Sequence, residues 1–340
     1  DALRLDAIHE IKDDAAAAAT PQRHVLAELS DAVAALSIEL GRPLSLVAEA
    51  DLNDVGVITP TSEEPPAKAP SLGMTAQWAD DVHHALHARL TGEDQGYYGD
   101  FAEVGAWAKA YGRAFLHNGT WSTFRERNWG APVPEDTDPR RFVVFGSDHD
   151  QVGNRAVGDR PSAILDDAAL AATAALVLLS PYTPMLFMGE EWGTRTPFQF
   201  FTDHEEDDLA RSVSEGRVRE FAGFGWDADE IPDPQAAATV EASRLRWSEL
   251  DEAEHARMLD WYQALTTLRR NLDWSQRTAW PQVDEIDDVL MVTYDDIVVA
   301  ANLSGQERPA PALTTVLLSW DPFDAAAPSL SPGQTLIARR

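Results

Sequence analysis

The sequence predicts an α/β protein built of parallel β/α units and followed by a small antiparallel β unit. Three observations predict it. Short apolar strands alternate with helical stretches through most of the chain, the pattern of parallel β/α units. Four of those strands finish in charged or polar residues. After Trp280 the helical periodicity stops, and β-rich runs with Pro/Gly punctuation take over.

The first strand lies in "DALRLDAIHEI", where Leu3, Leu5 and Ala7 alternate with Ala2, Arg4 and Asp6, the period of a strand with one buried face. Charges on such a strand need partners, because an unpaired buried carboxylate is costly. Arg4 and Asp6 therefore either pair with each other or line a site. An apolar-periodic helix is expected from about Pro21 to Leu40, with Thr20 as cap, Pro21 in the first turn and Gly41 closing it. "PLSLVAEAD" is a short strand ending in acids, and the Pro-rich "TPTSEEPPAKAP" after it is an exposed loop. "GMTAQW" is a strand with the helix "ADDVHHALHARL" behind it, and another helix runs from about Val104 to Phe115. "RRFVVFGSDHD" is a strand with a polar tip, followed by the helix "LDDAALAATAALVLLS". "PMLFMGEEWG" repeats the pattern of apolar strand and acidic tip. A helix from Asp251 to Asn271 leads out of this layer. "DVLMVTYDDIVVAANLS" and "ALTTVLLSW" then read as strands of an antiparallel domain spanning residues 278–340, set off from residues 1–277.

Composition excludes several function classes. Lys and Arg number 27 against 57 Asp and Glu, a formal charge of −30. That field repels nucleic acid and anionic membranes and favours neutral or cationic partners. The chain has no cysteine, so disulfides, thiolate nucleophiles and Cys zinc sites are out. No apolar run approaches the roughly 20 residues of a membrane span, and no basic-then-apolar leader is present. A cytoplasmic protein is the simplest expectation. His83 and His87 lie four apart on a helix face, yet His84 stands where an HExxH zinc site needs Glu, so no metal or other cofactor is expected. There is no Gly-rich phosphate loop with Lys and no Gly-x-Ser-x-Gly elbow.

Three acids stand at strand tips: Asp6 in "LRLDAIH", Glu49 in "LVAEAD" and Asp150 in "FGSDHDQVGN". In a β/α barrel the C-terminal strand ends form the active face, so the three would converge on one mouth. Glycoside hydrolysis needs two carboxylates flanking the scissile bond, one ionised and one able to give a proton. Arg4, two residues before Asp6, would keep that carboxylate ionised.

"LRLDAIH", "LVAEADLND" and "FVVFGSDHDQVGNR" resemble three of the four signature regions of the α-amylase family of glycoside hydrolases. "AQWADDVHHALH", "LFMGEEWG" and "PFQFFTDHEE" narrow the resemblance to a branch that releases trehalose from the end of a maltooligosyl chain. The fold implied is the (β/α)8 TIM barrel followed by a small antiparallel β domain. The resemblance makes Asp6 the nucleophile, Glu49 the general acid/base and Asp150 the third carboxylate. Arg4 would orient Asp6, and His149 would touch the sugar at the cleavage point. His9, Asp80, Asp81, His83 and His84 match positions lining the trehalose-side subsites, and Gln151 and Asn154 continue the third block towards substrate. Trp78, Trp192 and Phe200 are candidate sugar platforms as well as candidate core or rim aromatics. The family retains anomeric configuration, which implies a covalent intermediate on Asp6. The substrate implied is maltooligosyltrehalose or a related α-glucan. A branching enzyme, a trehalose-forming isomerase and a carbohydrate-binding chain without turnover stand as alternatives.

Two departures from the family pattern set expectations. Asp148 occupies a position where the family often has Asn, and its charge beside Asp150 should raise one carboxyl pKa unless solvent or Arg155 offsets it. The first signature region and the opening strands have no counterpart here, so the strand carrying Arg4 and Asp6 corresponds to barrel strand 4 and only about strands 4 to 8 are present. Open sheet edges should then make the isolated chain aggregation-prone and weakly active or inactive.

Overall fold

The computed structural model describes residues 1–13, 23–66, 68–222, 227 and 229–340. The chain begins with β1 (Ala2–Leu5), α1 (Val25–Leu40), β2 (Ser45–Ala48), β3 (Ala76–Trp78), α2 (Asp80–Thr91) and α3 (Ala106–Arg113). A hairpin of β4 (Thr120–Ser122) and β5 (Arg127–Trp129) precedes β6 (Phe142–Phe145), α4 (His149–Gly153), α5 (Asp167–Leu178) and β7 (Thr183–Met185). Helices α6 (Asp207–Ala222), α7 (Ala237–Ala242) and α8 (Ala253–Asn271) follow. The last part is β8 (Gln282–Ile286), β9 (Val289–Tyr294), β10 (Ile297–Asn302), β11 (Arg308–Pro309), β12 (Thr315–Ser319), β13 (Ser329–Leu330) and β14 (Thr335–Arg339).

Strands β1, β2, β3, β6 and β7 form one parallel sheet in that order. The helices between them supply the crossovers that parallel strands require. The middle strands read as continuous apolar runs because both faces are covered. On one face Leu46, Ala48, Phe142 and Val144 join the main core with α2, α3 and α5. On the other, Val47, Ala76, Trp78, Val143, Phe145 and Met185 form a second cluster. The register Arg4↔Val47↔Ala76 puts Arg4 on this second, inner face.

The alternation in β1 is weaker than expected: Leu3 remains 60% exposed, because β1 is an end strand of the sheet and has a neighbour on one side only. Helix α1 starts at Val25 with His24 as cap, its Nδ1 accepting the Leu26 N–H at 3.2 Å. The expected Thr20 cap and Pro21 lie outside the described residues. Gly41 closes the helix in the left-handed conformation, as expected.

The second large sheet is antiparallel, in the order β12-β14-β10-β9-β8. Its central strand β10 is buried along its whole length. Leu290, Val292, Tyr294, Ile297, Val299 and Ile337 face the main core, while Val289, Val298, Ala300, Leu336 and Ala338 form a separate cluster on the far side. Trp261 against Trp320 and Trp274 against Tyr294, each 5.5 Å between ring centroids, seal this sheet onto α8 and the turn after it. Among the described residues no helix is long and apolar enough to cross a membrane.

Candidate active site

Strand periodicity explains how the site assembles. Side chains two apart share a face, so Arg4 and Asp6, and Val47 and Glu49, project from the inner face where β1 and β2 end, while Asp80 opens α2 beyond β3 within reach of the Glu49 and Asp148 charges. The Arg4 guanidinium lies 2.5 Å from Asp6 Oδ1, 3.9 Å from Glu49 Oε2 and 4.3 Å from the centre of the Trp78 ring. One cation thus bridges two carboxylates from neighbouring strands, and an aromatic floor fixes its plane. The backbone helps: Ala7 sits in the left-handed region at φ 42°, unusual for a residue with a side chain. That turn aims the Ala7 N–H at Glu49 Oε2, 2.6 Å away. The Glu49 N–H donates to the Leu5 carbonyl and the Ile8 N–H to the Glu49 carbonyl, so the two strand tips are stitched together. Asp6 is the more exposed carboxylate, at 75% of its side chain against 13% for Glu49.

The third block arrives from β6. Asp148 caps α4, accepting the N–H groups of Asp150 and Gln151 at 2.9 Å each. His149 and Asp150 are exposed on the first turn, and the His149 ring stands edge-on to Trp78 at 6.2 Å. Trp78 therefore joins the third block to Arg4. Asp150 accepts a hydrogen bond from the Asn154 side chain at 2.6 Å. The Gln151 amide lies against the Asp148 carboxylate, 2.7 Å from Oδ2 when its nitrogen faces it. The Asp148 carboxyl is pushed up to about 6, chiefly by burial and only secondarily by Asp150, while helix N–H groups and His149 pull the other way. The rise in one carboxyl pKa is as expected, and Arg155, one of the two groups that could have offset it, is engaged elsewhere. Its guanidinium is taken up by Glu93 at 2.9 and 3.0 Å and by Asp159 at 2.8 Å.

The α2 residues divide. Asp80 opens the helix at the mouth. Burial first, then the charges of Asp148 and Glu49, push its carboxyl well above the ordinary range, and its Oδ1 is buried without a hydrogen-bond partner. Asp81 is a correction to the sequence expectation. It is 3% exposed, and its Oδ2 accepts the N–H of Leu116, the N–H of His117 and the Asn53 amide. It therefore braces the α3 exit instead of facing a sugar. His83 is a second correction: it is buried, with its ring stacked on Phe145 at 5.2 Å, because its helix face packs onto the sheet. His84 is half-buried among Tyr97, Tyr98 and Phe101. Burial drives both histidines below their ordinary range, His84 to about 3, so both are neutral at physiological pH. His9 stands apart from the carboxylates in a groove beside the mouth, 4.0 Å from Glu10.

Of the candidate platforms, Trp78 serves as the floor beneath Arg4. Trp192 is 2% exposed and donates its indole N–H to Glu249, which makes it core. Phe200 is exposed with the Arg217 guanidinium over it at 4.9 Å. One feature was missed in the sequence, and one acidic tip noted there takes a defined place. Trp121 and Phe124 project from the β4–β5 hairpin, each 59% exposed, and Arg125 ties that hairpin to Asp51, two residues after Glu49. Glu190, beyond β7, accepts the Ser147 hydroxyl at 2.9 Å, and burial pushes it up to about 8. No spacing signal marks the hairpin, since its place depends on which loops meet across the mouth, whereas Glu190 stands in the acidic tip of "PMLFMGEEWG".

A parallel β/α sheet with carboxylates at successive strand ends, next to an antiparallel β sheet, defines part of an α-amylase-type barrel. A crystal structure from Salmonella typhimurium assigned to the alpha amylases superposes on the whole chain with a TM-score of 0.85 and 33% identity, using 57% of that structure. A cyclic α-maltosyl-(1→6)-maltose hydrolase from Arthrobacter globiformis shares the fold at TM-score 0.53 and 13% identity, over the whole chain and 56% of its own. No family model matches the chain. Curated relatives all carry one name, malto-oligosyltrehalose trehalohydrolase. The protein from Arthrobacter ramosus is 46% identical over 99% of this chain and 57% of its own length. That from Mycobacterium tuberculosis is 44% identical over 94% and 54%, and that from Saccharolobus solfataricus 38% over 79% and 43%. The chain belongs to the malto-oligosyltrehalose trehalohydrolase family, and it spans about half the length of the curated relatives it matches.

Proposed function

We propose that the chain carries the acid-bearing part of a retaining glycoside hydrolase site. The bond cut is the α-1,4 link beside the terminal trehalose of maltooligosyltrehalose, and trehalose is released. The observation that carries this reading is Arg4 set between Asp6 and Glu49 over the Trp78 floor, with the His149–Asp150 turn at the other edge of that ring. Asp6, held by a cation and open to solvent, attacks the anomeric carbon while Glu49 gives a proton to the departing oxygen. A water then cleaves the glycosyl–Asp6 ester as Glu49 takes the proton back. Asp150 and His149 grip sugar hydroxyls around the oxocarbenium-like centre, Asp80 faces the same space, and Asn154 positions Asp150. The substrate is a neutral α-glucan, which the chain's acidity does not repel. A cytoplasmic setting accords with this reading.

The test is product analysis on maltooligosyltrehalose and on maltose. It is run with the 340-residue chain alone and with the chain combined with the remaining segment of the Arthrobacter ramosus relative. Trehalose release from the first substrate supports the proposal, and Asp6→Ala should abolish it. Conversion of maltose instead would favour an isomerase. A second reading, carbohydrate binding without turnover, is favoured by the five-stranded sheet. Calorimetric binding of maltooligosyltrehalose with no trehalose released in either format would select it.

A further inference from the structure

Beside the mouth, an open groove of about 470 Å³ lies between the loops after β1 and β2 and the β4–β5 hairpin. Its charge runs against that of the chain. All 27 Lys and Arg side chains lie in the described residues, and the 57 acids offer each about two possible partners. Yet Lys68, Lys109 and Arg127 alone have neither a carboxylate nor a hydrogen-bond acceptor on their side chains among the described residues. Two of these three, Lys68 and Arg127, line this one groove. Arg127 is held in place by the Trp129 ring, 4.5 Å from its guanidinium carbon, and not by an acid.

The acid in the groove wall does not neutralise them by contact. Asp54 is 4% exposed, and its oxygens accept the backbone N–H groups of Gly56, Lys68 and Ala69 at 2.9 Å each. Hydrogen bonding in the wall is also incomplete: His9 Nδ1 and Trp129 Nε1 are buried without partners. Among the described residues no other acid comes within ion-pair distance of either cation, and longer-range charge is screened over about 8 Å at physiological ionic strength. Two cations that pair with no acid among the described residues, in so acidic a chain, mark a place for an anion from outside.

We propose that this groove binds a phosphate group, free or carried on a sugar, with the Arg127 fork and the Lys68 ammonium as its ligands. Guanidinium and ammonium together suit the tetrahedral charge of a phosphate, and Leu52 and Leu72 give an apolar wall for the carbon skeleton of an ester. The inference stands apart from the glycosidase reading, since it requires no turnover.

Titration calorimetry on the 340-residue chain tests it, with inorganic phosphate, glucose 6-phosphate and maltose at ionic strength matched with sodium chloride. Both phosphates should bind saturably, and maltose should not compete. Tighter binding of glucose 6-phosphate would assign the site to a sugar ester, and equal binding to phosphate itself. Lys68→Ala and Arg127→Ala should each weaken binding about tenfold, the loss of one charge-assisted contact. Lys109→Ala, the third unpaired cation and outside the groove, should leave it unchanged. Lys68 and Arg127 are exposed and Lys109 is half-buried, so for the two groove variants melting without ligand should match the parent and separate lost binding from lost folding. Absence of saturable phosphate binding overturns the proposal. So does binding that survives both groove substitutions, or maltose binding as tightly as glucose 6-phosphate.

Discussion

The hydroxyl of Ser147 donates to Glu190 Oε2 at 2.9 Å, joining the loop after β7 to the residue just ahead of Asp148, His149 and Asp150. The bond holds the third acidic block against the next strand tip, and burial leaves the Glu190 carboxyl largely protonated at neutral pH. Its folded pKa, about 8, is above the ordinary 4.5, so the folded protein keeps a proton that the unfolded chain releases. Stability contributed here is greatest at acid pH and declines as pH rises from about 4.5 to about 8. Glu190→Gln keeps the shape and a hydrogen-bonding amide without the titration. Denaturant midpoints measured across that window should fall less steeply with pH for the variant than for the parent.

Asp148 shows the same sign over a lower window. Its carboxyl titrates near 6 in the folded state against 3.8 ordinarily, so ionisation costs stability as pH climbs between those values. Asparagine caps a helix as well as aspartate does. Asp148→Asn should therefore keep α4 and raise stability at neutral pH by roughly 1–3 kcal/mol, the cost of ionising a buried carboxyl whose pKa is raised. Urea unfolding at neutral pH and at a pH below 3.8 checks this, since the gain should vanish in acid.

Arg4 carries a prediction about turnover. Arg4→Ala removes the cation shared by Asp6 and Glu49 and bares the Trp78 floor. Loss of one preorganised electrostatic group costs about 10²–10³-fold in kcat, and a drop of that order is expected in trehalose release. Arg4→Lys should recover only part, because an ammonium is a point charge without the flat guanidinium that covers the ring. Steady-state kinetics on maltooligosyltrehalose provide the measurement.

Gly130 ends the hairpin that walls the phosphate groove. It has φ +72°, and a methyl added there would lie 2.0 Å from the His117 carbonyl oxygen. Gly130→Ala should destabilise the protein by roughly 2–4 kcal/mol, from left-handed strain and overpacking together. Thermal or urea unfolding reads this directly. The substitution should also loosen the groove, and phosphate affinity should fall with it.

Much of the fold was legible in the sequence. Short apolar strands alternating with helices gave the parallel sheet, and the switch to β-rich, helix-free sequence after Trp280 gave the antiparallel sheet. Residues two apart on a strand share a face, so the spacing of Arg4 and Asp6 left an ion pair or a site lining open, and the structure shows the pair at 2.5 Å. The α2 residues were less legible. Asp80 and Asp81 are neighbours in sequence, yet only Asp80 reaches the mouth. Helical rotation turns Asp81 towards the backbone of Leu116 and His117, and the same rotation buries His83 against Phe145.

By itself, then, the sequence determined local matters: which runs become strands, which strand ends carry acids, and how strongly the surface is charged. These follow from periodicity and composition, which act over a few residues. Only the tertiary structure decided that Arg155 goes to Glu93 and not to Asp148, that Ser147 meets Glu190, and that Lys68 and Arg127 share a groove in which, among the described residues, neither pairs with an acid. Each of those outcomes depends on where loops distant in the chain come together. Backbone direction and packing set that, and no short-range pattern encodes it.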